Sequence, residues 1–291
     1  MSAVLHPSTE LGQVSLRIRD LAESVRFYTE VVGLKVLRQQ GRTAELTADG
    51  NTALLVLEEV EGLIRQRERS AAGLYHFAIL VPDRPSLGLV VRNLAAFNVP
   101  VGQGDHLVSE ALYISDPDNN GIEIYADRPR DTWKRDASGE IMMTTDPVDV
   151  ESLLAVSEGL EWNGLPAGTV IGHAHFHVSD LQTAKRFYCD IIGFELTAHY
   201  GSAALFISAG GYHHHIGLNV WAGVGVPNTP RHAAGMNYFT VVLPDEDELA
   251  AVSDRVRSAG LTVQERDGAS YVLDPSDIEV RLIAASSRKT A

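Results

Sequence analysis

Four times along the chain, a run of alternating apolar and polar residues is followed by a helically spaced stretch and then by further short apolar runs. The alternation has the period of a half-buried strand. In the first unit Asp20 is placed to cap a helix running through Phe27, and Gly33 is placed to end it. The runs around Thr52–Leu57, Tyr113–Ser115 and Ile122–Tyr125 predict strands. Residues 11–37 and 171–197 match without a gap: Gly12, Asp20, Leu21, Arg26, Phe27, Tyr28 and Gly33 meet Gly172, Asp180, Leu181, Arg186, Phe187, Tyr188 and Gly193. A weaker pair, 73–84 and 235–246, leads in each case to Asp-Pro (Asp116-Pro117, Asp274-Pro275) and then Ile-Glu (Ile122-Glu123, Ile278-Glu279). The expected architecture is α+β, with four βαβββ modules near 8–60, 73–127, 169–222 and 235–285. One module leaves a curved sheet with an open face, and two together close a cup. Residues 128–168 fit no module; Asp146-Pro147 reads as the cap and first position of a short helix over Val148–Val156. The expected division is a first domain over 1–130, a connector over 131–168 and a second domain over 169–291.

The 291 residues suffice for a two-domain core without staples. With 24 Lys and Arg against 38 Asp and Glu, the net charge of −14 repels phosphate backbones and speaks against a nucleic-acid partner. The one cysteine, Cys189, precludes an intrachain disulfide and reads as a small apolar helix residue. No run reaches the roughly 18 apolar residues of a membrane span, and Met1–Glu10 has no apolar signal core. The cytoplasm is the expected compartment, and a homodimer the expected assembly.

Histidine changes the picture. Seven of the eleven lie between His173 and His215. His173, His175 and His177 alternate with apolar residues, which puts three imidazoles on one strand face. In GGYHHHIGLNVW, alternation places His213 and His215 on one face and His214 on the other. His76 and Glu123 each sit within apolar strand runs, where a carboxylate needs a partner. A lone strand histidine is most often a hydrogen-bonded core residue, and His6, His199 and His232 read as solvated. The joint pattern of histidines, carboxylate and repeat carries more weight than any one of them.

The repeated GxVxLxVxDLxxxxxFYxxxxGL pattern, followed by DPxxNxIE, resembles the vicinal oxygen chelate superfamily of glyoxalases, bleomycin-resistance proteins and type I extradiol dioxygenases. The segments GLYHFAIL (73–80), 106–133 and GGYHHHIGLN (210–219) resemble two-domain catechol 2,3-dioxygenases most closely. The resemblance places metal-ligand positions at Gln13, His76, His173 and Tyr238 on first strands, and at Glu123 and Glu279 on last strands. Pairing module 2 with 3 and module 1 with 4 gives one complete set, His76, Glu123 and His173, and one vestigial cup with Gln13, Tyr238 and Glu279. Pairing in chain order gives no complete set.

Two imidazoles and a carboxylate on one face of a metal typify non-haem Fe(II) oxygenases, and Mn(II) also suits these donors. The resemblance therefore implies extradiol cleavage of a small aromatic diol by O2. It implies His215 as the acid–base histidine, Tyr113 (ten residues before Glu123) as a hydroxyl donor, and His106 as a further pocket histidine. His175 and His177 either support the ligands or simply pack; His213 is a pocket-lining candidate, and so are Phe206, Trp221 and Phe239. Two alternatives remain: a glyoxalase-like isomerase or lyase, whose fourth ligand position falls here on Gly217, and a metal-free binding protein of bleomycin-resistance type.

Overall fold

Aspartates followed by leucine open the two helices of the sequence repeat. Asp20 is extended and its side chain accepts from the Glu23 amide; Asp180 does the same for Thr183. The computed structural model describes residues 4–65 and 69–288. The first module runs β1 (Glu10–Ile18), α1 (Leu21–Arg26), β2 (Lys35–Gln40), β3 (Thr43–Thr47) and β4 (Ala53–Glu59). The second runs β5 (Gly73–Leu80), α2 (Arg84–Ala96), β6 (Gly102–Asp105), β7 (Ser109–Ser115) and β8 (Gly121–Asp127). A connector carries α3 (Val150–Ala155). The third module follows as β9 (Val170–His177), α4 (Leu181–Lys185), β10 (Glu195–Tyr200), β11 (Ala204–Ser208) and β12 (Ile216–Asn219). The fourth is β13 (Gly235–Leu243), α5 (Glu246–Ser258), β14 (Gln264–Arg266), β15 (Ala269–Leu273) and β16 (Glu279–Ala284).

The repeated Arg-Phe-Tyr has a structural purpose. After α1 and α4 the chain widens into a π-helical turn, and Gly33 and Gly193 end it with left-handed φ of 94° and 111°. Inside that turn Tyr28 and Tyr188 are fully buried. Each donates its hydroxyl at 2.9 Å to the Asp of an Asp-Pro turn in the following module, Asp116 and Asp274. Burial pushes both carboxyls up to about 6, against the hydrogen bonds that favour the charged form.

Eight strands form each of two curled sheets. One has the order β14-β15-β16-β13-β1-β4-β3-β2 and joins modules 4 and 1; the other has β10-β11-β12-β9-β5-β8-β7-β6 and joins modules 3 and 2. Within each module the first strand runs parallel to the last, while β1–β13 and β5–β9 meet antiparallel. Each sheet takes one module from either side of the connector, so the sheets do not coincide with the spans 1–130 and 169–291. A continuous apolar core ties the two sheets together, with Phe176 against Phe239 at 5.1 Å. Phe239 is thus core and lines no pocket at the histidines.

The connector helix starts later than Asp146-Pro147 suggests. Asp146 is held extended by a two-way backbone bridge to Asp105, and Gln103 takes the Val148 amide. Asp149 is the residue free to cap, and its carboxylate accepts from the Ser152 amide at 3.0 Å. Among the described residues no helix is long and apolar enough to cross a membrane.

Candidate metal centre

Register brings three side chains onto one spot. Ala78 in β5 lies opposite Glu123 of β8 on one side and His173 of β9 on the other, and His76 sits two residues before Ala78 on the same face. The small Ala78 side chain leaves room above it. The nitrogens Nε2 of His76 and of His173 both lie 3.0 Å from Glu123 Oε2. Donor atoms of the three residues fall within 4.8 Å of one another, and all three residues are buried. His173 aligns for a hydrogen bond to Glu123, whereas His76 Nε2 does not and has no hydrogen-bond partner. A buried ring nitrogen aimed at a carboxylate yet unbonded is the arrangement a divalent cation would satisfy, and the donor set suits one. Burial favours the neutral form of Glu123, but the His173 and His76 rings outweigh it and hold this carboxyl well below its usual range. Burial lowers His76, partly offset by Glu123.

Tyr113 faces Glu123 across the β7–β8 ladder. Its hydroxyl donates to His106 Nε2 at 2.6 Å. His106 Nδ1 lies 2.6 Å from the Thr144 carbonyl, which only accepts, so Nδ1 carries the proton and Nε2 receives. Gly104 makes this possible: a Cβ there would come within 2.9 Å of the His106 ring. Burial, then the Glu123 charge, raise the Tyr113 phenol well above its usual value, so it stays a donor.

His175 and His177 point the same way as His173 and are clamped by Asn219. Its oxygen accepts from His177 Nδ1 at 2.6 Å and its amide donates to His175 Nε2 at 3.0 Å. Neither ring joins the three-residue cluster. The His175 ring packs on His76 at 5.0 Å and on Trp221 at 5.3 Å. It also fills the space beside Gly217, where a Cβ would come within 2.7 Å of it.

The triplet His213–His215 departs from strand alternation, because β12 begins only at Ile216 and the preceding residues form turns. His214, expected to point away, stacks on His173 at 4.1 Å and on Phe206 at 4.9 Å. His215 instead packs on Tyr212 at 5.0 Å, and its Nδ1 accepts from the Ala209 amide at 3.1 Å. Burial drives His215 down to about 3. His213 Nε2 donates to Asp127 at 2.9 Å, so its Nδ1 accepts from His214 Nδ1 at 2.7 Å. Asp127 also takes the Tyr212 hydroxyl at 2.9 Å, and Tyr125, packed on His173 at 4.8 Å, reaches Tyr212 at 2.7 Å. The sequence reading passed over Asn219, Asp127, Tyr125 and Tyr212. Alternation holds a signal for two of them, since Glu123, Tyr125 and Asp127 lie at every second position of one strand.

A cavity of about 490 Å³ reaches His76 and Tyr113, walled by Tyr75, Val99, Pro100 and His177. In the other cup Tyr238 donates to Gln13 at 2.8 Å, and Glu279 pairs with Arg266 at 2.6 Å. Those positions are satisfied without a metal.

A family model described as "Glyoxalase/Bleomycin resistance protein/Dioxygenase superfamily" matches residues 10–124 and 170–282. The chain is 52% identical over 272 residues to "Catechol-2,3-dioxygenase" of Bacillus subtilis (strain 168), covering 93% of this chain and 95% of that protein. Among solved structures it resembles a candidate dioxygenase of Bacillus subtilis subsp. subtilis str. 168 at 15% identity and a TM-score of 0.63, covering 97% of this chain and 86% of that one. It also resembles glyoxalase I of Zea mays at 15% identity and a TM-score of 0.58, covering 96% and 93%. At such identities the structures speak to fold alone.

Proposed function

The chain belongs to the Glyoxalase/Bleomycin resistance protein/Dioxygenase superfamily, and we propose that it acts there as an extradiol dioxygenase, opening a catechol-like ring beside its hydroxyls with O2. The observation that carries this reading is the buried convergence of His76, Glu123 and His173, with His76 Nε2 aimed at the carboxylate yet left unbonded. Identity to a catechol-2,3-dioxygenase over nearly the whole chain supports the reaction class. These three residues would hold one divalent metal, which we take to be Fe(II). When bound by two imidazoles and one carboxylate, such a metal supplies open positions for a bidentate diol and for O2.

The remaining duties fall to the chain. The Tyr113 hydroxyl, kept protonated by burial beside Glu123, is poised to turn from His106 to a substrate oxygen. His106, fixed by the Thr144 carbonyl, then keeps a free acceptor nitrogen. Acid–base work falls to the His213–His215 run. His214 is the ring that faces His173, with Nδ1 committed to His213 and Nε2 left as acceptor. His215, assigned that work by family resemblance, stands one position away against Tyr212. Comparing His214→Ala with His215→Ala decides which ring moves the proton. Gly217 supplies no fourth ligand, which separates this site from an isomerase with four protein ligands.

The test is anaerobic purification and metal analysis, followed by Fe(II) loading and O2 uptake with catechol. Near-stoichiometric iron, uptake with a yellow ring-fission product, and loss of both in Glu123→Ala are expected. Full metal and activity in Glu123→Ala would overturn the assignment. Metal without uptake of O2 on any substituted catechol would overturn the reaction.

A further inference from the structure

The parallel ladders of the two cups can be superposed residue by residue. In the first, His76 pairs with Gly121 and Ala78 with Glu123. In the second, Tyr238 pairs with Glu279 and Thr240 with Arg281. With Tyr238 laid on His76, the position of Glu123 is held by Arg281, not by Glu279. The second cup therefore carries a cation where the first carries its ligand carboxylate. We propose that the cup of modules 1 and 4 is a separate, metal-free binding site for a small organic carboxylate with a planar apolar body, anchored by Arg281.

Three features of this cup point to such a ligand. Arg281 Nε is buried without a hydrogen-bond partner, and so is Thr240 Oγ1 beside it in the ladder. A buried donor left unpaired is costly, and a charged one more so, which makes both atoms natural partners for a carboxylate. Glu279 is taken by Arg266 and Glu45 by Arg38, each at 2.6 Å. Asp49, also on the cavity wall, is held by the Asn51 and Thr52 amides, and Asp267 lines it without an ion pair among the described residues. Among the described residues no ion pair neutralises Arg281. Space and shape agree with this. A cavity of about 1110 Å³ is lined at this end by Arg281, Thr240, Tyr238 and Tyr271 and runs on to Tyr212 and His215 beside the other sheet; the two phenol rings meet edge-to-face at 5.9 Å and the guanidinium lies 5.7 Å over Tyr238. Phenol walls favour a flat apolar body. A single unpaired guanidinium matches one negative charge, and the net charge of −14 disfavours polyanions.

The test is a fluorine NMR titration of the full-length, metal-loaded protein with para-fluorobenzoate. Saturable binding is expected in the wild type. It should weaken at least tenfold in Arg281→Gln, about 1.4 kcal/mol, and recover in part in Arg281→Lys. The neutral para-fluorobenzamide should bind at least tenfold more weakly, and Glu123→Ala should bind the acid as the wild type does. Absence of saturable binding, equal affinity in Arg281→Gln, or loss in Glu123→Ala would overturn the proposal. Should Arg281→Gln fail to fold, intermolecular NOEs in the wild type decide. Contacts from the ligand to the Tyr238 and Tyr271 rings support the site, and contacts to the Tyr113 ring in their place refute it. Ring cleavage is read separately, so failure here leaves the metal-centre reading standing.

Discussion

Gly12 and Gly172 are equivalent in the sequence repeat, yet an added methyl group should have very different consequences at the two. At Gly172, which sits at a register shift between β9 and β5, a Cβ would lie 1.8 Å from the Tyr125 hydroxyl and 3.1 Å from Leu80 Cβ. Tyr125 is fully buried, hydrogen-bonded to Tyr212 and packed on His173, so it cannot swing into solvent. To reach ordinary contact near 3.4 Å its hydroxyl must retreat by about 1.6 Å, which breaks the 2.7 Å bond to Tyr212. Overpacking costs about 1–3 kcal/mol and the lost hydrogen bond about 1 kcal/mol. Restricting the unfolded chain returns about 0.4–1 kcal/mol. The net for Gly172→Ala is about 1–3.5 kcal/mol, or roughly 2–14 °C in Tm at about 2–4 °C per kcal/mol. At Gly12 the nearest atom is the terminal Val242 Cγ2 at 2.9 Å, which need give only about half an ångström. Gly12→Ala should therefore stay within about 2 °C of wild type. Scanning calorimetry of both variants, with metal analysis, is the assay; Gly172→Ala should also retain less metal, because Tyr125 buttresses His173. Equal Tm values for the two variants, or Gly172→Ala within 2 °C of wild type, would refute the steric reasoning.

Other expectations follow from single contacts. Tyr113→Phe removes the donor that His106 accepts and should lower kcat/KM about a hundredfold with metal content unchanged; loss of metal instead would mean the hydroxyl holds the site together. Asn219→Ala strands the nitrogens of two buried histidines, at a cost of about 2–4 kcal/mol read by chemical denaturation, and an unchanged midpoint would show that neither bond matters. His215, lowered from 6.5 to about 3 by burial, is neutral in the folded chain while the unfolded chain protonates near 6.5. Its contribution to stability is present above that pH and lost as pH falls, by about 1.4 kcal/mol per pH unit. A His215→Gln variant should show a shallower fall of Tm between pH 6.5 and 4.5, and a profile parallel to wild type would contradict this.

Much of the fold was legible because helix and strand periods are local. Asp20 and Asp180 as caps, Gly33 and Gly193 as stops, and four βαβββ modules all follow from which residues can cap, turn or alternate. His76 and Glu123 stood out as polar groups in apolar strands that require partners, but family resemblance singled out His173 from His175 and His177 and joined the three as one ligand set, which the structure brings together. Where local rules break, legibility ended. The turn before β12 dissolves alternation, so His214 rather than His215 meets His173. The bridge from Asp146 to Asp105 is a long-range contact, and it hands the α3 cap to Asp149.

The sequence by itself determined the repeat, the kinds of element and the chemical types of the candidate ligands, since these depend on residue identity and on spacing within one segment. The tertiary structure decided the pairings. Ala78 lies opposite both Glu123 and His173, Arg281 rather than Glu279 stands where the second cup mirrors Glu123, and one of two equivalent glycines presses on a buried tyrosine. The physical reason is that strand register joins residues far apart in the chain, and a shift of one or two positions changes which side chains meet.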